Sequence, residues 1–241
     1  MPSSTSIIAT SSGVRVGRGF FLWAALTCVL IAVIGFARSY YLKWLFGTPP
    51  LPILLHVHGA IMSSWCLLFG AQTYLVATQR VRLHRRLGIL GAALAVLVVV
   101  VGAYATVKAT AREVRDHVIH QFHFLFGLNL VNLAVFGMLV AAALALRRRA
   151  DFHKRFMLLA TVTMLAPAIA RIVLLVTHDA VAQILAFDFC ILSCVGVDTI
   201  LQRRLHPAFG WGGAFVLGSF HLTYIALSAK WWLPFVAWAF S

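Results

Sequence analysis

The sequence predicts an all-α integral membrane protein with seven transmembrane helices. Three observations carry this. The chain is 62% hydrophobic and only 11% charged, less than half the charge of an ordinary soluble domain. Apolar runs of roughly 20 residues, the length that crosses a hydrocarbon core of about 30 Å, recur along its whole length. Lysine and arginine also alternate between connecting segments. Of the 20 in the chain, most sit at Arg15 and Arg18, at Arg80, Arg82, Arg85 and Arg86, at Arg147 to Arg149 with Lys154 and Arg155, and at Arg203 and Arg204. Cytoplasmic loops carry such an excess, so the N-terminus is expected in the cytoplasm and the C-terminus outside. The net charge of +14 is therefore a topology signal in a multi-pass protein of a bacterial inner membrane. Its basic residues do not form a nucleic-acid surface.

Residues 1–19 are expected to form a polar cytoplasmic tail, and residues 20–241 a single transmembrane domain. The first span, about 20–42, follows Arg15 and Arg18 and is expected to stay as an anchor rather than leave as a signal peptide. Span two, about 52–79, opens with His56-Val57-His58, and span three, about 87–111, follows His84-Arg85-Arg86. Span four, about 118–146, opens with His120-Gln121-Phe122-His123, and span five, about 156–177, follows His153-Lys154-Arg155. Two helix pairs, about 52–111 and 118–177, thus repeat one pattern and are expected to form a four-helix unit. Span six, about 180–202, carries Cys190 and Cys194 on one face, as small packing residues or as metal ligands. No disulfide framework is implied by the four cysteines. Span seven, about 208–229, completes the set. Trp44, Trp231 and Trp232 suit the interfacial belt. Gln72, Asn129 and Asn132 suit hydrogen bonds between helices, or contact with a quinone. His178 and His206 fall between spans and are expected to be solvated.

Histidines within a bilayer are costly to keep and mark functional sites by default. A rise of about 1.5 Å per residue places His58, His123, Arg171, Asp188 and His221 in one polar layer of the outer leaflet. Arg171 and Asp188 have opposite charge at matched depth on consecutive spans and are expected to pair. His56 and His58, two residues apart, cannot both face the bundle interior. On the cytoplasmic side, His84 and His153 hold equivalent positions, either as interfacial anchors or as a second pair.

Two histidines on facing helices supply both axial ligands of a haem iron. The expected outer pair is His58 with His123 or His120, and the inner pair is His84 with His153. Anionic haem propionates would meet Arg85, Arg86, Lys154 and Arg155 inside and Arg171 outside. Two b-type haems would form an electron path, with a quinone or a redox protein as partner. A second reading uses His58, His120, His123, Asp188 and His221 as ligands to zinc or another transition metal, in a membrane enzyme or receptor. A third makes the chain a transporter or a non-catalytic subunit of a larger membrane complex. The sequence holds no phosphate-binding loop, nucleophile elbow or zinc-protease motif. Lys230 lies too near the outer surface for a retinal Schiff base.

The residues His58-Gly59, Trp65, Gln72, His84-Arg85-Arg86-Leu87-Gly88, His153-Lys154-Arg155-Phe156-Met157 and Arg171 resemble an uncharacterised bacterial family of polytopic membrane proteins. Its members carry an HR-x-x-G element after one helix and an H-[RK]-[RK]-[WF]-M element two helices later. The resemblance covers about residues 52–175 and implies a fold but no activity. A looser architectural likeness, to b-type cytochromes of the cytochrome b561 and haem A synthase kinds, rests on histidines at both ends of a four-helix unit.

Overall fold

Apolar periodicity and helix-stop residues divide the chain into nine α-helices among the residues that the computed structural model describes, 5–116 and 119–240, with side chains described over 19–116 and 124–240. The helices are α1 (Thr5–Phe36), α2 (Ile53–Ala77), α3 (Val81–Arg115), α4 (Ile119–Ala145), α5 (Ala150–Met164), α6 (Ala166–Val173), α7 (Ala180–Gln202), α8 (Pro207–Leu227) and α9 (Trp232–Phe240). Five segments are long and apolar enough to cross a membrane: Gly19–Tyr41, α2, α3, Phe124–Ala145 and α7. The bent pairs α5–α6 and α8–α9 raise this to seven if each is one span. The protein is an all-helical, multi-pass membrane protein.

Local chemistry sets the element boundaries. After α1 the chain widens into a π-helical turn, Ala37–Tyr41, which swings Tyr40 and Tyr41 onto α2. There Tyr40 Oη donates to the His56 carbonyl at 3.1 Å, and Tyr41 Oη meets Ser63 Oγ at 2.7 Å. Gln79 takes a positive φ of 62° in the tight α2–α3 turn, and Arg203 one of 53° at the end of α7. The Asp179 carboxylate caps α7 by accepting from the Val181 amide at 2.9 Å.

The expected fifth span is broken. Proline has no amide hydrogen and its ring crowds the carbonyl four residues back. Pro167 therefore cannot continue α5, and α6 leaves it at 47°. Helix α8 ends at Leu227, close to the expected end of the seventh span, and the further short helix α9 turns away from it by 82°. Trp232 is buried with Leu227 and Val236 against Phe124 and Phe126. Trp44 and Trp231 are exposed.

Helix α1 packs on α2, α5, α6 and α7, while α4 packs on α3, α5 and α8. Helices α2 to α5 contact in sequence order, α2 on α3, α3 on α4 and α4 on α5. The fourth side is closed at mid-depth by Trp65 of α2. Its indole edge meets Phe136 of α4 at a centroid distance of 4.9 Å, and its Nε1 donates to Thr161 Oγ1 of α5 at 3.3 Å. All three side chains are buried. Thr161 and Thr163 donate back to the carbonyls of Met157 and Leu159, so the polar atoms of the last turns of α5 stay satisfied. Helices α1 and α6 touch backbone to backbone at Gly35. A Cβ there would stand 2.5 Å from the Ala168 carbonyl oxygen.

Candidate functional site

The Trp65 layer separates two polar ends of helices α2 to α5. At one end, His84 lies in the first turn of α3 and His153 in the first turn of α5. Their rings approach to a centroid distance of 6.4 Å and stand nearly perpendicular, at 80°. His153 is oriented by the helix that precedes it. The last carbonyls of a helix have no partner within it, and the Ala143 carbonyl of α4 takes His153 Nδ1 at 2.8 Å. A carbonyl only accepts, so Nδ1 carries the hydrogen and the neutral ring keeps its lone pair on Nε2. His84 Nδ1 is buried and has no hydrogen-bond partner, and the same holds for the Gln72 Oε1 atom of α2. Gln72 sits at this end beside Gly88, one turn beyond His84, where an added Cβ would make only an ordinary contact with it. Its Nε2 would be 3.9 Å from a Cβ at that position.

A metal ion held by two imidazole nitrogens at about 2 Å each sets the two ring centroids roughly 6 Å apart. The His84–His153 separation meets that requirement. Haem iron needs only two protein ligands, because the porphyrin supplies the rest. A zinc site built from protein alone needs three or four. Among the described residues, no group of three or more His, Cys, Asp or Glu side chains is placed to hold a metal ion. Cys190 and Cys194 therefore do not belong to such a group, and all four cysteines are free.

The surrounding cations divide. Arg85 and Arg86 are exposed beside His84. Lys154 turns toward α1, with Nζ 4.7 Å from the Phe21 ring centroid. Arg155 does not face the histidine pair as expected. It is buried in a bidentate pair with Asp198 of α7, Nε to Oδ2 at 2.8 Å and Nη2 to Oδ1 at 2.9 Å. Its Nη1 donates to the Asp151 carbonyl at 2.8 Å. His206 is likewise buried and structural. Its Nδ1 accepts from the Ala208 amide and caps α8, while Nε2 meets Asp151 Oδ2 at 3.0 Å. The expected solvated position is overturned because the loop is short enough to fold the imidazole under α8. His178 is exposed, as expected.

At the opposite end, His58 Nδ1 is buried without a hydrogen-bond partner, and Arg171 lies within electrostatic reach of it. The expected Arg171–Asp188 pair does not form. The bend at Pro167 turns Arg171 back along α6, so that Nη1 donates to the Pro167 carbonyl at 2.9 Å and the guanidinium covers Phe36 at 4.6 Å. Asp188 instead faces His221 of α8, Oδ2 to Nε2 at 3.3 Å. His221 Nδ1 meets the Leu217 carbonyl at 2.9 Å. Both ring nitrogens thus face acceptors. His56 lies beside Tyr40, with Gly59 admitting the tyrosine ring. His117 and the side chains of His120 and His123 lie outside the described residues.

Sequence reasoning missed Asp198. The signal was present: it is a single acid in the inner half of span six, at the depth of Arg155. Comparison with known proteins finds no match, whether to a family model, a curated protein or a solved structure.

Proposed function

We propose that the chain is a membrane-embedded b-type cytochrome in which His84 and His153 would hold one haem through its iron. The observation that carries this reading is the facing histidine pair, at the separation of two ligands to one ion, in which the Ala143 carbonyl leaves His153 Nε2 free to ligate. The partnerless His84 Nδ1 and Gln72 Oε1 atoms fit a polar group bound at this end. Haem, when bound, supplies one-electron redox chemistry. The chain's own residues would hold it, with His84 and His153 at the iron and, toward the propionates, exposed Arg85 and Lys154 once its side chain leaves the Phe21 ring. His58, with Arg171 near it, is the half of a second, outer site that lies among the described residues, with His123 or His120 as its partner in this reading. An electron donor or acceptor of the quinone class, or a redox protein, belongs to the same reading. So does a bacterial inner membrane crossed seven times, with the N-terminus in the cytoplasm.

The test is the spectrum of the purified protein, expressed with a haem precursor and then reduced. A Soret band with a sharp α-band is expected. His84→Ala and His153→Ala should each remove the same haem, while His56→Ala should leave it. A protein that lacks the bands after expression and after titration with haemin, or bands that survive both changes, would overturn the reading.

A second reading, a transporter or complex subunit that handles protons, is favoured by the Asp188–His221 pair. Its two ring nitrogens both face acceptors, and a carboxylate beside an imidazole is an arrangement that can pass protons. Uptake of protons by vesicles that depends on Asp188 would support it.

A further inference from the structure

A groove of about 490 Å³ runs between the start of α2 and the end of α3, far from His84 and His153 but on the turns of α2 that also carry His56 and His58. Its walls are apolar, with Leu54 and Val57 on α2 and Val101 and Tyr104 on α3. Its rim is cationic, formed by Lys108, Arg112 and Arg115. On α3 these residues follow spacings of three and four, from 101 through 104, 108, 112 and 115, which is a single helix face. The stretch from Leu87 to Val107 carries no charged residue. At about 1.5 Å per residue it is roughly as long as a hydrocarbon core is thick. Lys108 therefore stands where hydrocarbon gives way to headgroups, and the two arginines stand beyond it. The apolar walls extend from that boundary inward.

All three cations are exposed. Glu113 and Asp116 lie on the same helix end, but neither approaches them within 4 Å. The ion pairs among the described residues are Arg155–Asp198, His206–Asp151 and His221–Asp188. Among the described residues, Lys108 has only the Tyr104 ring, 5.6 Å from Nζ.

We propose that this groove binds one anionic phospholipid, its phosphate on Lys108, Arg112 and Arg115 and an acyl chain along Val57 and Val101. Charge complementarity selects the headgroup: arginine forks match phosphate oxygens. The apolar walls at hydrocarbon depth select an amphiphile over a free anion. Ile53, 78% exposed at the mouth, extends the apolar path toward the bilayer.

The test is lipid binding to the purified full chain in detergent, read by native mass spectrometry and by the melting temperature. Phosphatidylglycerol, phosphatidylcholine and inorganic phosphate are titrated separately. One phosphatidylglycerol per chain with a raised melting temperature is expected, with little effect of phosphatidylcholine or phosphate. Neutralising Lys108, Arg112 and Arg115 together to Gln should weaken phosphatidylglycerol binding roughly hundredfold, at about a surface lysine's or arginine's usual worth each. The same change at Arg147, Arg148 and Arg149 should leave it intact. Val101→Trp, which fills the groove and keeps the charges, should also weaken it. Equal binding of the two lipids, retention in the Lys108–Arg112–Arg115 variant, or an equal response to inorganic phosphate would overturn the proposal. Circular dichroism of each variant separates lost binding from lost fold.

Discussion

Arg155 and Asp198 form a planar two-bond fork, Nε and Nη2 each to one carboxylate oxygen at 2.8 and 2.9 Å. Their side chains are only 3% and 1% exposed. The pair ties α5 to α7, and Phe21 of α1 and Phe209 of α8 cover the guanidinium. Four helices thus meet at one ion pair.

Burying two charges costs nearly what their attraction returns, while removing one partner strands the other. Asp198→Leu and Arg155→Met should each destabilise by about 3–5 kcal/mol. The double variant should recover most of that loss. Thermal unfolding with a thiol-reactive fluorophore measures it, because Cys28 and Cys66 are buried in the fold. Additive losses in the double variant would show that the two residues act independently.

The spans were legible because length and apolar composition suffice to find a membrane helix. Their rotation was not. Arg171 and Asp188 match in depth and charge, yet a pair also needs matching azimuth, and the bend at Pro167 turns Arg171 toward Phe36. That bend was hard to read, since a proline is tolerated within many membrane helices when neighbours satisfy the freed carbonyls. Arg155 was hidden differently. It stands in a basic run that reads as a topology signal, and its partner lies 43 residues away. The nearness of His84 and His153 was expected from their like positions at two helix starts, each before two basic residues. The structure adds their 6.4 Å approach and the carbonyl that orients one of them.

Gly35 should prove the least replaceable glycine of α1. Its missing Cβ would meet the Ala168 backbone, which cannot rotate aside as a side chain can. Gly35→Val must push α1 away from α6 and should cost about 1–3 kcal/mol, the range for overpacking. Gly218 of α8 is the contrast, with nothing within 4 Å of an added Cβ. Gly218→Ala should be neutral or stabilise by up to about 1 kcal/mol through helix propensity. Equal melting temperatures for Gly35→Val and the unaltered protein would refute the close approach.

The charge alternation predicts sidedness. A reporter in the Arg147–Arg149 turn should read as cytoplasmic, and one fused after residue 241 as external. The paired use of alkaline phosphatase and green fluorescent protein fusions tells the two apart. Both fusions reading on one side would mean that α5–α6 or α8–α9 does not cross. The bend of 82° between α8 and α9 makes the second junction the more sensitive one.

Asp188 should couple to His221 and not to Arg171. The ion-pair contact of 3.3 Å and the Leu217 carbonyl on the other ring nitrogen hold the imidazole against the carboxylate. His221 is nearly half exposed, so solvent weakens the attraction, and a coupling of about 0.5–1 kcal/mol is expected. A double-mutant cycle with Asp188→Asn and His221→Gln, read as melting temperatures in detergent, measures it. The parallel cycle of Asp188→Asn with Arg171→Gln should give additive losses, because Arg171 spends its guanidinium on Phe36 and the Pro167 carbonyl. Coupling found in the Arg171 cycle and absent from the His221 cycle would reverse the assignment of partners. It would return Arg171 to the depth-matched pairing with Asp188 and leave His221 as an isolated interfacial residue.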